Sequence, residues 1–308
     1  MFGIKNNNSN KFEDDIRNKI KKIKIFTKRL MKSSIIGDYL SAFKGTGFEF
    51  DQLKEYQMGD DIRFIDWNSS AKMNKIIIKK LVSERDRTVI LVIDISKSCL
   101  YSSQKNLRKD MIAQVATALA FVAAENKDRV GALFFSDKVE RWIPPSRGKL
   151  HLGKIIETIF SMQATNNKTN IFEALNFLVS LKKRNAIVFM LSDWIDDSCD
   201  YSKILKVAGY EYDFVGIRFL DLCEKEFPDV GYIDLQDLET KKSLTINSSY
   251  LINSKEEETN INLLLRQRYL LQKRMFEKYR IDLLDLVLGK SFINPMIHFF
   301  RKRTTRQI

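Results

Sequence analysis

Apolar and polar positions fall into three regimes along this chain. Over residues 12–32, Ile16, Ile20, Ile23, Phe26 and Leu30 recur at helical spacing with lysines and arginines between them. That pattern predicts an amphipathic helix with a basic polar face. The spacing is then lost. Gly37, Gly45, Gly47 and Gly59 punctuate a stretch mixing aromatic and acidic residues, where short strands and tight turns fit better than long helices. Within it KIIIKKL, residues 75–81, reads as a strand. From residue 87 the third regime begins. TVILVIDIS is an unbroken β-branched apolar run, as a strand buried on both faces of a parallel sheet requires. VGALFF, AIVFML and YDFVGIRF repeat that signature at residues 130–135, 186–191 and 212–219. Helical patterns at 106–125, 150–162, 171–181 and 201–207 separate them, and 138–143 can fold back on 130–135 as a hairpin.

This alternation predicts an α/β fold: a doubly wound, mostly parallel sheet flanked by helices. Beyond it, residues 231–246 predict one or two hairpins around 237–242. A charged helix follows at 255–279, with Ile261, Leu264, Leu265, Tyr269 and Leu271 on or near one face. A strand at 281–287 and a helix at 291–300 close the chain. The expected organisation is a polar tail and basic helix (1–36), a β-rich segment (37–86) and an α/β domain (87–308) with a hairpin insertion near 229–248.

The length, 308 residues, allows about three-quarters of the unfolded surface to be buried without disulfides or metals as staples. Three cysteines, Cys99, Cys199 and Cys223, stand singly, and there are two histidines. That argues against a disulfide framework, a structural zinc site and most histidine-dependent catalysis. The net charge of +13 is compatible with nucleic acid, an anionic membrane or an acidic protein, and selects none of them. The N-terminus has no apolar core of a signal peptide, and the longest mostly apolar run, 111–124, is too short to span a bilayer. A soluble, cytoplasmic protein is the expectation.

The chemistry concentrates where the first buried strand ends. In a parallel α/β sheet, ligands bind beyond the carboxyl ends of the strands, near the point where strand order reverses. Asp94, Ser96 and Ser98 lie there in a DxSxS spacing: one carboxylate and two hydroxyls on a tight loop, hard oxygens of the kind Mg2+ or Mn2+ takes. Thr169, just before a helix, and Asp193, at the end of a later buried strand, can complete the set. A phosphoaspartate enzyme would need an aspartate where Ser96 stands, and no phosphate-binding GxxxxGK[ST] loop occurs. Helix capping by Asp94 and the serines is the plainer alternative.

Elsewhere the readings are structural. Glu49, Asp51, Glu55, Asp60, Asp61 and Asp66, interleaved with Lys54, Arg63 and Trp67, suit internal ion pairs. Asp196 and Asp197 suit the start of the next helix. His151 and the terminal Arg301, Lys302, Arg303 and Arg306 suit a solvated surface.

DISKS, KTN and LSD together resemble the metal-ion-dependent adhesion site of von Willebrand factor A domains. Carried over, Asp94, Ser96, Ser98, Thr169 and Asp193 match its five ligand positions; Cys99 stands where methionine often follows. GTGFEFDQLKEYQMGDDIRFIDWNSSAK followed by SERDRTVILVIDIS, with KDRVGALFFSD and PPSRGKLHL, resembles the uncharacterised bacterial family numbered 58 among domains of unknown function. This resemblance implies a von Willebrand A-like fold. It also implies a non-enzymatic adaptor whose Mg2+ (or Mn2+) captures an Asp or Glu of a partner protein. Family members are often encoded beside a MoxR-type AAA+ ATPase, which implies that ATPase as partner in chaperone-like assembly. A basic module for nucleic acid or anionic membrane is the alternative function, and a Mg2+-dependent phosphoesterase the third.

Overall fold

The computed structural model describes residues 39, 42, 52–57, 65, 67–73, 75–80, 87–100, 108–162, 168–183, 186–196, 199–236, 243–253 and 260–306. The basic helix expected at 12–32 lies outside them. The chain forms two compact units, one of them Phe43–Asp86. In that unit β1 (Gln52–Glu55) pairs antiparallel with β2 (Ile77–Lys80), Gln52 opposite Lys80 and Glu55 opposite Ile77. Between them runs a short helix, α1 (Trp67–Met73), in a stretch where short strands and tight turns are expected rather than long helices. Ser70 on α1 accepts a hydrogen bond from the Ile77 amide at 2.9 Å, tying the helix to the start of β2.

The other unit is built on a six-stranded sheet. Its elements run β3 (Thr88–Asp94), α2 (Arg108–Glu125), β4 (Arg129–Phe135), β5 (Val139–Ser146), α3 (Lys149–Ser161), α4 (Ile171–Ser180), β6 (Ile187–Ser192), α5 (Ser202–Glu211), β7 (Asp213–Leu220) and α6 (Leu222–Lys225). A hairpin of β8 (Tyr232–Gln236) and β9 (Ser243–Asn247) follows, then α7 (Ser248–Asn253), α8 (Ile261–Lys278), β10 (Asp282–Val287) and α9 (Ile293–Arg306). The sheet order is β10-β7-β6-β3-β4-β5, and β5 alone runs antiparallel. This is the doubly wound α/β architecture. β3 lies at its centre, and strand order reverses between β3 and β6, the place where such sheets bind ligands.

Burial follows the sequence signature. Val89–Ile93 of β3 and Val188–Leu191 of β6 are buried without alternation, as in a parallel sheet with helices on both faces. The apolar run at 111–124 lies within α2 and is buried on nearly all sides, with Gln114 the exposed residue of the run. Among the described residues no helix is long and apolar enough to cross a membrane.

The face of α8 departs from its apolar spacing. Leu264 and Leu271 are 44% and 64% exposed. Tyr269, Gln272 and Phe276 pack inward instead: Tyr269 Oη donates to Asp285 at 2.8 Å, and Gln272 Nε2 donates to the Trp194 carbonyl at 2.6 Å. Buried Arg218 on β7 sets this rotation. Its Nη1 donates to Gln272 Oε1, and its Nε and Nη2 take both oxygens of Asp285, at 2.8, 2.8 and 2.9 Å. A buried guanidinium left unpaired costs more than an exposed leucine. The polar residue therefore turns inward and the leucines outward.

Candidate functional site

Asp94 is the last residue of β3, level with Phe135 of β4 and one step beyond the Ile93–Leu191 pair with β6. Its short carboxylate folds back on its own loop, a local bond that aspartate makes readily. Oδ1 accepts from the Ser96 amide at 2.9 Å, and Oδ2 accepts from Ser192 Oγ at 2.7 Å. A single 3₁₀ turn, Lys97–Leu100, follows. The Ser96 and Ser98 hydroxyls share a hydrogen bond at 2.8 Å, and Cys99 Sγ stands 3.8 Å from Ser96 Oγ. Burial, and then the charge of Asp193, push the Asp94 carboxyl up to about 6. Burial also raises the Cys99 thiol, as do the two aspartates.

Asp193 follows the end of β6. Its Oδ1 accepts from the Ile195 amide at 3.0 Å, and its Oδ2 accepts from Arg108 Nη1 at 2.8 Å. The next residue, Trp194, has φ +62°, the left-handed region that a bulky side chain enters only under constraint. The constraints are explicit. The Trp194 amide donates to Ser192 Oγ at 3.0 Å, its carbonyl accepts from Tyr201 Oη and Gln272 Nε2, and its ring packs edge-on against Phe276 at 4.8 Å. This turn brings Asp193 in beside Asp94. Ser192 ties the two strand ends together, giving to Asp94 and taking from Trp194.

Thr169 is half-buried and lies in the short segment ahead of α4. That segment is pinned on two sides. The Asn170 amide donates to the Ser136 carbonyl, just past β4, at 2.8 Å, and the Ile171 amide donates to Asp196 Oδ2 at 2.7 Å. Both anchors lie beyond carboxyl ends of sheet strands, so Thr169 belongs to the same edge as Asp94 and Asp193. The structure thus brings Asp94, Ser96 and Ser98 into one loop, sets Asp193 beside them, and tethers Thr169 at that edge. Asp196 does cap a helix, but α4 rather than the α5 that follows it.

Sequence reading missed Ser192 and Arg108. Arg108 opens α2 with its side chain 1% exposed, and its Nη2 pairs with Glu224 on α6. Burial by itself lowers the guanidinium's pKa, but Asp193 and Glu224 outweigh it and hold Arg108 charged. Glu224 in turn caps α6 reciprocally with Asp221. The available signal is an arginine in the charged first turn of a helix whose remainder is largely apolar.

The donors suit a small hard cation. Two oxygens on neighbouring corners of an octahedron with bonds of about 2.0–2.1 Å lie about 2.9 Å apart, and the Ser96 and Ser98 hydroxyls are 2.8 Å apart. The carboxylates of Asp94 and Asp193 add negative charge in a buried setting. Asp94, Ser96 and Ser98, with Thr169 and Asp193 at the same edge, are therefore the residues that would hold Mg2+ or Mn2+.

Uncharacterized proteins of Mycobacterium tuberculosis and Mycobacterium bovis are 25% identical over 223 residues, covering 72% of this chain and 70% of theirs. Among solved structures, an aerotolerance-related membrane protein from Bacteroides fragilis aligns over 71% of this chain and 99% of its own, at 12% identity and a TM-score of 0.48. The SpRpn10 VWA domain aligns over 68% and 93%, at 10% identity and a TM-score of 0.40. The family model described as protein of unknown function DUF58 matches residues 52–257. With two-thirds of its length so matched, the chain belongs to the DUF58 family.

Proposed function

We propose that this protein is a metal-dependent interaction adaptor whose sheet edge binds an acidic side chain of a partner protein. The observation that carries the reading is the loop at the end of β3. Asp94 is held by the Ser96 amide and Ser192, and two serine hydroxyls beside it lie at the spacing of adjacent Mg2+ ligands. A bound Mg2+ or Mn2+ would supply a Lewis-acidic position for a carboxylate from outside. The chain's own residues do the rest. Asp94 and Asp193 provide the negative charge, Ser96 and Ser98 provide neutral oxygens, and the strained turn at Trp194 fixes Asp193 in place. With only two carboxylates among its ligands, the site does not overcompensate a divalent cation, so no excess of negative charge repels an incoming Asp or Glu. Resemblance to a family whose members are often encoded beside a MoxR-type AAA+ ATPase names that ATPase as the first partner to try, in the cytoplasm.

The test is calorimetric titration of Mg2+ and Mn2+ into chelator-treated wild type and Asp94→Ala, followed by pull-down of a candidate ATPase with and without Mg2+. Binding by wild type alone, with capture that needs Mg2+ and survives moderate salt, is expected. Metal binding and capture unchanged in Asp94→Ala would refute the reading. Capture that ignores Mg2+ and collapses with salt would point to a charge-driven module instead.

A further inference from the structure

Arg108 is the feature at this site that the five-residue constellation does not account for. It is a permanently charged guanidinium with 1% side-chain exposure, and it lies against one of the carboxylates expected to serve a divalent cation. Its contact with Asp193 is single-pronged. Nη1 donates to Oδ2 at 2.8 Å and also reaches the Ser98 carbonyl at 3.3 Å, Nη2 turns to Glu224, and Nε has no hydrogen-bond partner among the described residues. The guanidinium therefore touches both halves of the site: the carboxylate after β6, and the backbone of the serine loop after β3.

We propose that Arg108 sets the metal affinity of this site: it shares Asp193 with the cation, keeps divalent binding weak, and is itself restrained by Glu224. The proposal rests on the metal-binding reading above. Its basis is electrostatic. A divalent cation held by Asp94, Ser96 and Ser98 would share a low-dielectric interior with this fixed positive charge, and like charges repel far more strongly there than in water. Part of Asp193's charge is also already engaged. Glu224 works in the opposite direction by holding the other end of the guanidinium and neutralising part of its charge.

Charge counting gives Arg108 a second consequence. Asp94, Asp193 and Glu224 are three carboxylates against one guanidinium, so a divalent cation brings the cluster to neutrality. With Arg108 removed, the loaded cluster keeps a negative charge and disfavours an incoming carboxylate. Arg108 thus trades metal affinity for receptivity to an acidic partner.

Two substitutions with opposite expected signs test this. Arg108→Met keeps the length and removes the charge; Glu224→Gln leaves the guanidinium less neutralised. Mg2+ is titrated calorimetrically into each chelator-treated protein up to 20 mM, with far-UV circular dichroism checking the fold. Arg108→Met is expected to bind Mg2+ at least tenfold more tightly than wild type, and Glu224→Gln several-fold more weakly. A merely structural role for Arg108 would weaken or leave unchanged the affinity in both. If Arg108→Met does not fold, Arg108→Lys, which keeps the charge, must stay near wild type while Glu224→Gln weakens binding. Wild-type binding with Arg108→Met equal or weaker, or with Glu224→Gln unchanged, overturns the role of Arg108 and leaves the metal site standing. No binding by wild type, Arg108→Met or Glu224→Gln overturns both. Binding by Arg108→Met alone supports the proposal in its strongest form.

Discussion

Gly216 is closely packed behind the site, and its replacement makes a quantitative test. It sits in β7 opposite Met190 of β6, three residues before the chain reaches Asp193. A Cβ at this position would lie 2.6 Å from Phe276 Cε1 and 3.1 Å from Trp194 Cζ2. A ring at the surface would move aside, but Phe276 is 1% exposed and already meets Trp194 edge-on, centroids 4.8 Å apart and planes at 89°. Gly216→Ala therefore overpacks a closed core, at a cost of about 1–3 kcal/mol. The loss of unfolded-chain entropy returns about 0.4–1 kcal/mol. The net expectation is destabilisation of about 1–2 kcal/mol, which for a large domain lowers Tm by about 2–4 °C per kcal/mol. Urea unfolding followed by tryptophan fluorescence reads it. The decisive comparison is Gly216→Ala/Phe276→Leu. A leucine withdraws the ring edge that the methyl meets, so the double variant should be about 1 kcal/mol more stable than the sum of the single effects. Gly216→Ala within about 0.5 kcal/mol of wild type, or strict additivity in the cycle, would refute this account of the packing.

Asp94, pushed from an ordinary 3.8 to about 6, binds its proton more tightly folded than unfolded. Metal-free wild type should therefore lose stability as pH rises from 4 to 6 and level off above. Asp94→Asn should be more stable at pH 7, by at most about 3 kcal/mol, with a flatter profile; a wild-type stability that rises over that interval would contradict the burial of this carboxylate. Mg2+ at one hundred times its dissociation constant should stabilise wild type by about 2.7 kcal/mol and Asp94→Ala not at all, read as a shift in thermal unfolding. Arg218→Lys loses the two-pronged grip on Asp285 and the Gln272 contact, and should cost about 2–4 kcal/mol in urea unfolding; a near-neutral result would mean that Lys restores the network. Thiol labelling of the native protein should modify exposed Cys199 first, Cys223 more slowly, and buried Cys99 only on unfolding; early modification of Cys99 would show that the serine loop opens.

The sequence alone determined the α/β sheet, because a strand buried on both faces has no polar positions to alternate and its apolar run is visible locally. It also carried Asp94, Ser96 and Ser98, since one loop holds all three within five residues and the end of a buried strand can be located from the run before it. Thr169 and Asp193 were legible as residues flanking predicted elements, and the sheet order supplied their common edge.

The tertiary structure decided what depends on partners distant in the chain. The inward face of α8 keeps Ile261, Leu265 and Tyr269 but departs from the apolar spacing at Leu264 and Leu271, because Gln272 is polar by composition and is turned in by Arg218, 54 positions away. Asp196 caps a helix that precedes it by 25 residues rather than the one that follows. Arg108 meets Asp193 and Glu224 across 85 and 116 positions, and no periodicity encodes such pairings. Local patterning reports how a segment divides between core and water. Which buried charges meet is fixed by strand order and helix docking, where leaving a guanidinium or carboxylate unpaired would cost more than any local preference returns.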